Sequence, residues 1–428
     1  MALRGPVLDE LPDVCVADID RCVNSHIFDK TFSAAACVAS IGSRVFHRKV
    51  YGSPVHPPPL RRISHDTVFD LASLTKPLAT GLAALHLVSR SRMDLGAPLS
   101  KTIPEFRAPR FDNITLDMLL EHTAGFPSTR KFWHDIAEHD ARVAKADRLM
   151  GTAKAAQFVK ELVSDVTIEY EPGTKVVYSD VGFMALGWVI EGIVGMPLDV
   201  YLQREIYRPL GLADDLFFVR LDDARARARL KRRVFAATEQ CPWREKLLQG
   251  EVHDPCAWAM GGVAGHAGLF GTADAVWRLL KTLLACYLGE DRTFLGGTVR
   301  RFWTRSKRLR QTTRTLGWDT PTTNDSSVGK RYSRNAVGHL GYTGTSIWID
   351  LSSDVIGVLL TNAVHPTLEG KQEVMKKFRP RIYEFIAKEA ESLPAQGDKK
   401  TGAAAFYSPT GAGLSIGTPL KGPGKPRI

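Results

Sequence analysis

Residues 71–80 read LASLTKPLAT and place Ser73 three positions before Lys76, where a helical pattern begins. On a helix, positions i and i+3 share one face, so this hydroxyl and this amine can meet. Serine alone is a weak nucleophile and needs a base to take its proton. Lysine is normally protonated, with a reference pKa of about 10.4, and burial or a neighbouring positive charge lowers that value. A helix start also offers unpaired N–H groups and a partial positive charge, which suit a developing oxyanion. Pro77 fits a first helical turn. The same tetrapeptide also arises as an ordinary capping serine followed by an exposed lysine, so its company in the chain decides between the two.

Upstream, Ile19, Val23 and Ile27 recur at helical spacing and predict a helix over about residues 15–29. SAAACVASIGSRVFHRKVYG (33–52) contains two strand-like runs joined at Gly42-Ser43, a hairpin pattern. The proline cluster at 53–62 is a loop. From Ser73 to about Arg90, Leu78, Leu82, Leu85 and Leu87 form the apolar side of a helix. The chain then reads mostly helical to about residue 290. GTSIWID (344–350) and VIGVLLTN (355–362) return to strands across the turn LSSD. A closing helix spans about 370–391, with Val374, Phe378, Ile382 and Phe385 on one face and a kink expected at Pro380. This order predicts one α/β unit over residues 1–392. Its sheet regions are about 15–70 and 300–392, and a mostly helical region fills about 71–299. A cleft is expected where sheet meets helices. From Leu393 onward Gly, Pro, Ser and Lys dominate, which predicts a disordered tail over 393–428.

The chain has 428 residues, 44% of them apolar, enough to bury a sizeable core. Its formal charge of +11 comes partly from RARARLKRRV (225–234) and RRFWTRSKRLRQTTR (300–314). These read as solvated, charged helix faces rather than a nucleic-acid surface, so nucleic acid is not an expected partner. Six cysteines without C-x-x-C spacing do not make a disulfide framework or a zinc site. MALRGPVLDELPDVCVADID lacks the apolar core of a secretory signal, and no apolar run reaches the roughly 18 residues of a membrane span. The expected address is the cytoplasm; a signal removed beforehand would leave the same pattern and a periplasmic address. His134 and His139 are five apart, not the i, i+4 of a zinc helix, and GGVAGHAG is not G-x-G-x-x-G. Neither a metal nor a cofactor is expected.

Two further stretches follow Ser73-x-x-Lys76 in order: VVYSDVGF, with Tyr178-Ser179-Asp180, and VGHLGYTGTSIWID, with His339-Leu340-Gly341 opening a strand. Together they resemble the serine β-lactamase and penicillin-binding-protein family, most closely its class C β-lactamase-like serine hydrolases. LDMLLEHTAGFP (116–127) and GGVAGHAGLFGTADAVWRL (261–279) resemble two more segments of that family. The resemblance covers about residues 15–390. It implies an α+β fold with an antiparallel sheet drawn from both chain ends.

The resemblance also implies roles. Ser73 is the acylated nucleophile, Lys76 its proton partner, and Tyr178 the proton carrier to the leaving group. The backbone N–H groups of Ser73 and Tyr342 form the oxyanion hole. His339, with Gly341, stands where the family has a lysine, to hold a substrate carboxylate or tune Tyr178. Asp180, His266 and His122 border the substrate, although for each histidine an ordinary structural role is the simpler expectation. Two departures stand out. Asp180 replaces an asparagine, which removes an amide donor and puts a negative charge near Lys76. Leu340 replaces a threonine, which removes a hydroxyl. The expected function is a serine hydrolase that attacks an ester or amide carbonyl of a small or peptide-like substrate. A cell-wall D,D-carboxypeptidase or β-lactamase is the rival on the same fold, and a non-catalytic scaffold the rival of another class. Oligomeric state is not legible.

Overall fold

The computed structural model describes residues 14–56 and 62–394. The tail expectation beyond Pro394, and most of the leader expectation, lie outside the described residues. In chain order the strands are β1 (Ala34–Ile41), β2 (Arg44–Gly52), β3 (Phe69–Asp70), β4 (Leu216–Phe218), β5 (Gln240–Cys241), β6 (Lys246–Leu247), β7 (Leu269–Gly271), β8 (Val337–Leu340), β9 (Ser346–Asp350) and β10 (Val355–Thr361). The main sheet runs β2-β1-β10-β9-β8 and is antiparallel throughout. β1 pairs with β10 from Ala35↔Thr361 to Ile41↔Val355, so the two chain ends meet in the sheet centre as expected. Gly42, at φ +53°, makes the β1–β2 turn.

β1 and β10 are continuous apolar runs because both faces are covered. All seven β10 residues are buried. On one face Ala34, Ala36, Val38, Ile356, Val358 and Leu360 join the core shared with the helical region, where the helix Ala273–Leu288 packs on both strands. On the other face lies the closing helix Gln372–Ser392. A Cβ at Gly357 would sit 2.8 Å from the Tyr383 ring, so only glycine admits this approach. Phe378 and Ile382 face inward as expected, but the ends of the stripe fall on Met375 and Ile386, with Val374 exposed and Phe385 half-buried. Pro380 sits inside this helix without ending it.

Three other expectations change. The middle is helical but carries a small sheet, β3-β7-β4, directly beneath Ser73. His339 and Leu340 close β8 rather than open a strand; the next strand begins at Ser346. The basic run 300–314 is not one helix face, since its helix ends at Trp303. Arg308 instead pairs with Asp117 and Glu121, and Arg314 with Asp319. Arg225 and Arg227, by contrast, are exposed on the short helix Ala224–Leu230, as expected. All six cysteines are free. No single described helix is long and apolar enough to cross a membrane. The most apolar one, Asp180–Val194, is core: Val181 to Ile190 are all buried.

Asn362, just past β10, ties the sheet to the helical region. Its Oδ1 accepts from Ser33 N and Ala34 N at 3.1 and 2.8 Å. Its Nδ2 donates to Ser33 Oγ and the Ala237 carbonyl, both at 2.9 Å. Asn362→Ala leaves these buried groups unpaired and is expected to cost about 3 kcal/mol of unfolding free energy. Urea denaturation should show this as a lower midpoint with an unchanged slope; an unmoved midpoint would contradict the account.

Candidate active site

Ser73 does not sit in a regular helix. Ala72–Leu74 is a 3-10 turn, Lys76–Thr80 a π turn, and the α-helix proper is Gly81–Ser89. Pro77 has no N–H to give the Ser73 carbonyl, so the expected i→i−4 ladder fails here. The turn widens, and Gly81 N bonds the Lys76 carbonyl five residues back. Ala72 takes φ +47°, uncommon for a residue with a side chain. Asp70 holds it there: its Oδ1 accepts from Ala72 N at 2.9 Å, and its Oδ2 from His253 N at 2.7 Å. Burial pushes the Asp70 carboxyl above the usual range. The Asp70 carbonyl also accepts from Thr343 Oγ1 at 2.8 Å, tying the β8–β9 turn to the same point.

Lys76 is wholly buried. Its Nζ donates to Asp180 Oδ1 at 2.6 Å, to the His266 carbonyl at 3.1 Å and to Ser73 Oγ at 3.3 Å. It lies 4.7 Å from the centre of the Tyr178 ring. Burial alone disfavours the ammonium, but Tyr178 and Asp180 outweigh it and hold Lys76 above the ordinary lysine value. At rest the residue is therefore an ammonium. The depressed amine that burial suggests is overridden by Tyr178 together with the carboxylate that the sequence substitutes for asparagine. Asp180, expected at the substrate, is committed to this ion pair.

Asp180 and Tyr178 are placed by a helix start. Ser179 caps Asp180–Val194, its Oγ accepting from Gly182 N at 2.9 Å and donating to the Pro127 carbonyl at 2.6 Å. His122, at φ +60°, accepts the Ser179 N–H on Nδ1 at 3.0 Å and lays its ring 4.5 Å from that of Tyr178. Burial, with Arg314 and Lys76 nearby, holds His122 well below the usual imidazole range. It is a neutral prop beneath the tyrosine. His266 is likewise structural: its ring bonds Asp254 at 2.9 Å and its carbonyl supports Lys76. Burial opposes the Asp254 charge, but His266 and the Ala257 N–H outweigh it and hold the carboxyl well below its usual range.

β8 flanks the Ala72–Leu74 turn and brings His339 to 6.1 Å from the Tyr178 ring. His339 is buried, and burial with Lys76 and Arg314 pushes its pKa down to about 3, so it stands as a neutral imidazole. A Cβ on Gly341 would strike Thr345 Oγ1 and approach the Leu71 carbonyl to 2.8 Å; glycine lets this strand end close on the nucleophile turn. Tyr342 follows it, its side chain exposed and stacked on His253. Arg314, which sequence reasoning placed on a solvated face, lies 5.4 Å over the Tyr178 ring. Asp70 was missed as well, although an acid inside the apolar run FDLAS is a signal. The described residues contain no His/Cys/Asp/Glu group that could hold a metal ion.

The beta-lactamase family model matches residues 19–377. A putative D-alanyl-D-alanine carboxypeptidase of Escherichia coli K12 is 33% identical over 347 residues, covering 76% of each chain. An N-acetylmuramyl-L-alanine amidase of Bacillus subtilis 168 is 32% identical, covering 74% of this chain and 72% of its own. The fold is shared with EstCE1, a hydrolase with promiscuous acyltransferase activity (TM-score 0.65, 18% identity, 86% of this chain and 97% of that one). It is shared too with a class C beta-lactamase (TM-score 0.62, 14% identity, 86% and 96%). The chain belongs to the beta-lactamase family, whose members are serine hydrolases acting on amide and ester bonds.

The Lys76 ion pair gives a direct test. In Asp180→Asn one of the charges that holds the ammonium is gone while its burial remains. The Lys76 Cε resonance should then titrate at lower pH than in the wild type; an unmoved midpoint would contradict the account.

Proposed function

We propose that the protein hydrolyses an ester or amide carbonyl through an acyl-enzyme on Ser73. The observation that carries this is the wholly buried Lys76 Nζ, 3.3 Å from Ser73 Oγ with Tyr178 at its side. Surface lysines do not make such contacts, and a structural role does not need a half-exposed serine at the end of them. Ser73 Oγ attacks the carbonyl carbon as its proton passes to the neutral form of Lys76. The backbone N–H groups of Ser73 and Tyr342 take the developing oxyanion. Tyr178 then hands a proton to the leaving alcohol or amine, and water releases the acyl group by the reverse path. Because Lys76 rests as an ammonium, its neutral form grows with pH, so acylation should quicken from neutral toward alkaline pH.

A second reading, hydrolysis of peptides ending in D-alanyl-D-alanine, is favoured by the name of the E. coli relative. It predicts release of D-alanine from such a peptide.

Intact-mass analysis after incubation with a fluorophosphonate tests the main reading. One adduct is expected on the wild type and none on Ser73→Ala. A penicillin should add more slowly, since Asp180 and Leu340 remove an amide and a hydroxyl donor. Folded wild type that takes up neither probe would sink the hydrolase reading and favour a scaffold.

A further inference from the structure

His339 shows what kind of group the substrate brings to the site. Its ring is 3% exposed, and Nδ1 lies 2.8 Å from the Leu340 carbonyl oxygen. A carbonyl only accepts, so the ring proton of this neutral imidazole is on Nδ1. Nε2 therefore carries a lone pair. It is buried, with no hydrogen-bond partner among the described residues. An unpaired buried acceptor costs about 1–3 kcal/mol, and a ligand that donates to it recovers that cost.

The surroundings point the same way. Leu340 has no hydroxyl to offer. The hydroxyls of Thr343 and Thr345, which would suit a carboxylate, are turned away to the Asp70 and Leu71 carbonyls at 2.8 and 3.2 Å. Lys76 is neutralised by Asp180 at 2.6 Å. Arg314 bonds Asp319 at 2.9 Å and lays its guanidinium over the Tyr178 ring. Arg379 donates to the Gly341 and Thr345 carbonyls. At this strand end these donors are engaged apart from Arg379 Nε, and the His339 acceptor is left unpaired.

We propose that the substrate presents a hydrogen-bond donor, an amide N–H or a hydroxyl on its leaving group, to His339 Nε2, and that the site discriminates against a carboxylate at that position. This rests on the hydrolase reading above and narrows its substrate to neutral, donor-bearing esters or amides. It separates this chain from any enzyme that cleaves next to a terminal carboxylate.

Two butyrate esters of matched size test it: that of glycolamide, which offers an amide N–H, and that of glycolic acid, which offers a carboxylate. After division by each ester's hydroxide-catalysed rate, kcat/KM for the glycolamide ester should be at least about tenfold higher on the wild type. His339→Lys, which replaces the acceptor with a cation, should narrow or reverse that preference. Equal rates, or a faster glycolic acid ester, on the wild type overturn the proposal without recourse to any variant. Cleavage of neither ester by protein whose Ser73 still takes the fluorophosphonate also overturns it. Failure of Ser73 to take the fluorophosphonate overturns the hydrolase reading itself, so the two failures are told apart.

Discussion

A charged amine without solvent exposure is expensive unless its surroundings supply both countercharge and hydrogen bonds. Lys76 meets that condition by drawing three distant segments to one atom: the nucleophile turn, the start of the Asp180–Val194 helix and the glycine-rich loop before β7. The glycines of that loop follow from this need. A Cβ on Gly265 would lie 2.1 Å from the Phe183 carbonyl, and one on Gly262 2.2 Å from that of Val219. Only a backbone stripped of side chains can pass that close and still turn the His266 carbonyl toward the ammonium. The Thr80 hydroxyl, donating to the Gly265 carbonyl at 2.6 Å, fixes the loop from the other side.

A second knot, at Asp70, fixes the nucleophile itself. One acid side chain and its own carbonyl bind the Ala72 N–H, the His253 N–H and the Thr343 hydroxyl. Ala72, which precedes Ser73 in the turn, is thereby held in a left-handed conformation that the local sequence would not choose. Thr75 extends the arrangement, donating to the Ala72 carbonyl at 2.6 Å and accepting from Leu269 N at 3.0 Å. The small sheet β3-β7-β4 serves as the anvil for this turn. It is built from strands of two and three residues because its task is to place Asp70, not to form an extended surface.

The large features were legible in the amino acids. The main sheet announced itself through long apolar runs at both ends of the chain, and periodicity located the helices that cover it. Ser73, Lys76, Tyr178 and His339 were named through the resemblance of their motifs to the family's, and the structure brings them together although Lys76 and Asp180 are 104 positions apart. The rest depends on tertiary contacts that leave no local pattern. Strands of two or three residues are too short to show alternation. Arg314 sits in a run of basic residues, and its pairing with Asp319 and Tyr178 is invisible until the loop is placed. The sequence left the charge of His339 open, because it could not show how fully that residue is buried beside two cations.

The pairing of β1 with β10 has a consequence for how the protein comes into being. The strands at the centre of the sheet are Ala34–Ile41 and Val355–Thr361, with the whole helical region between them. During synthesis the β1–β2 hairpin emerges early, but the partner for its open edge leaves the ribosome only after some 300 further residues, roughly half a minute at typical rates. Until then the alanine-rich edge of β1 and the apolar faces of the intervening helices have no sheet to close against. Contacts of such long sequence separation are slow to form. The nascent chain thus carries exposed apolar surface until its last strand arrives, and loss of that strand would strip the helical region of the centre of its sheet.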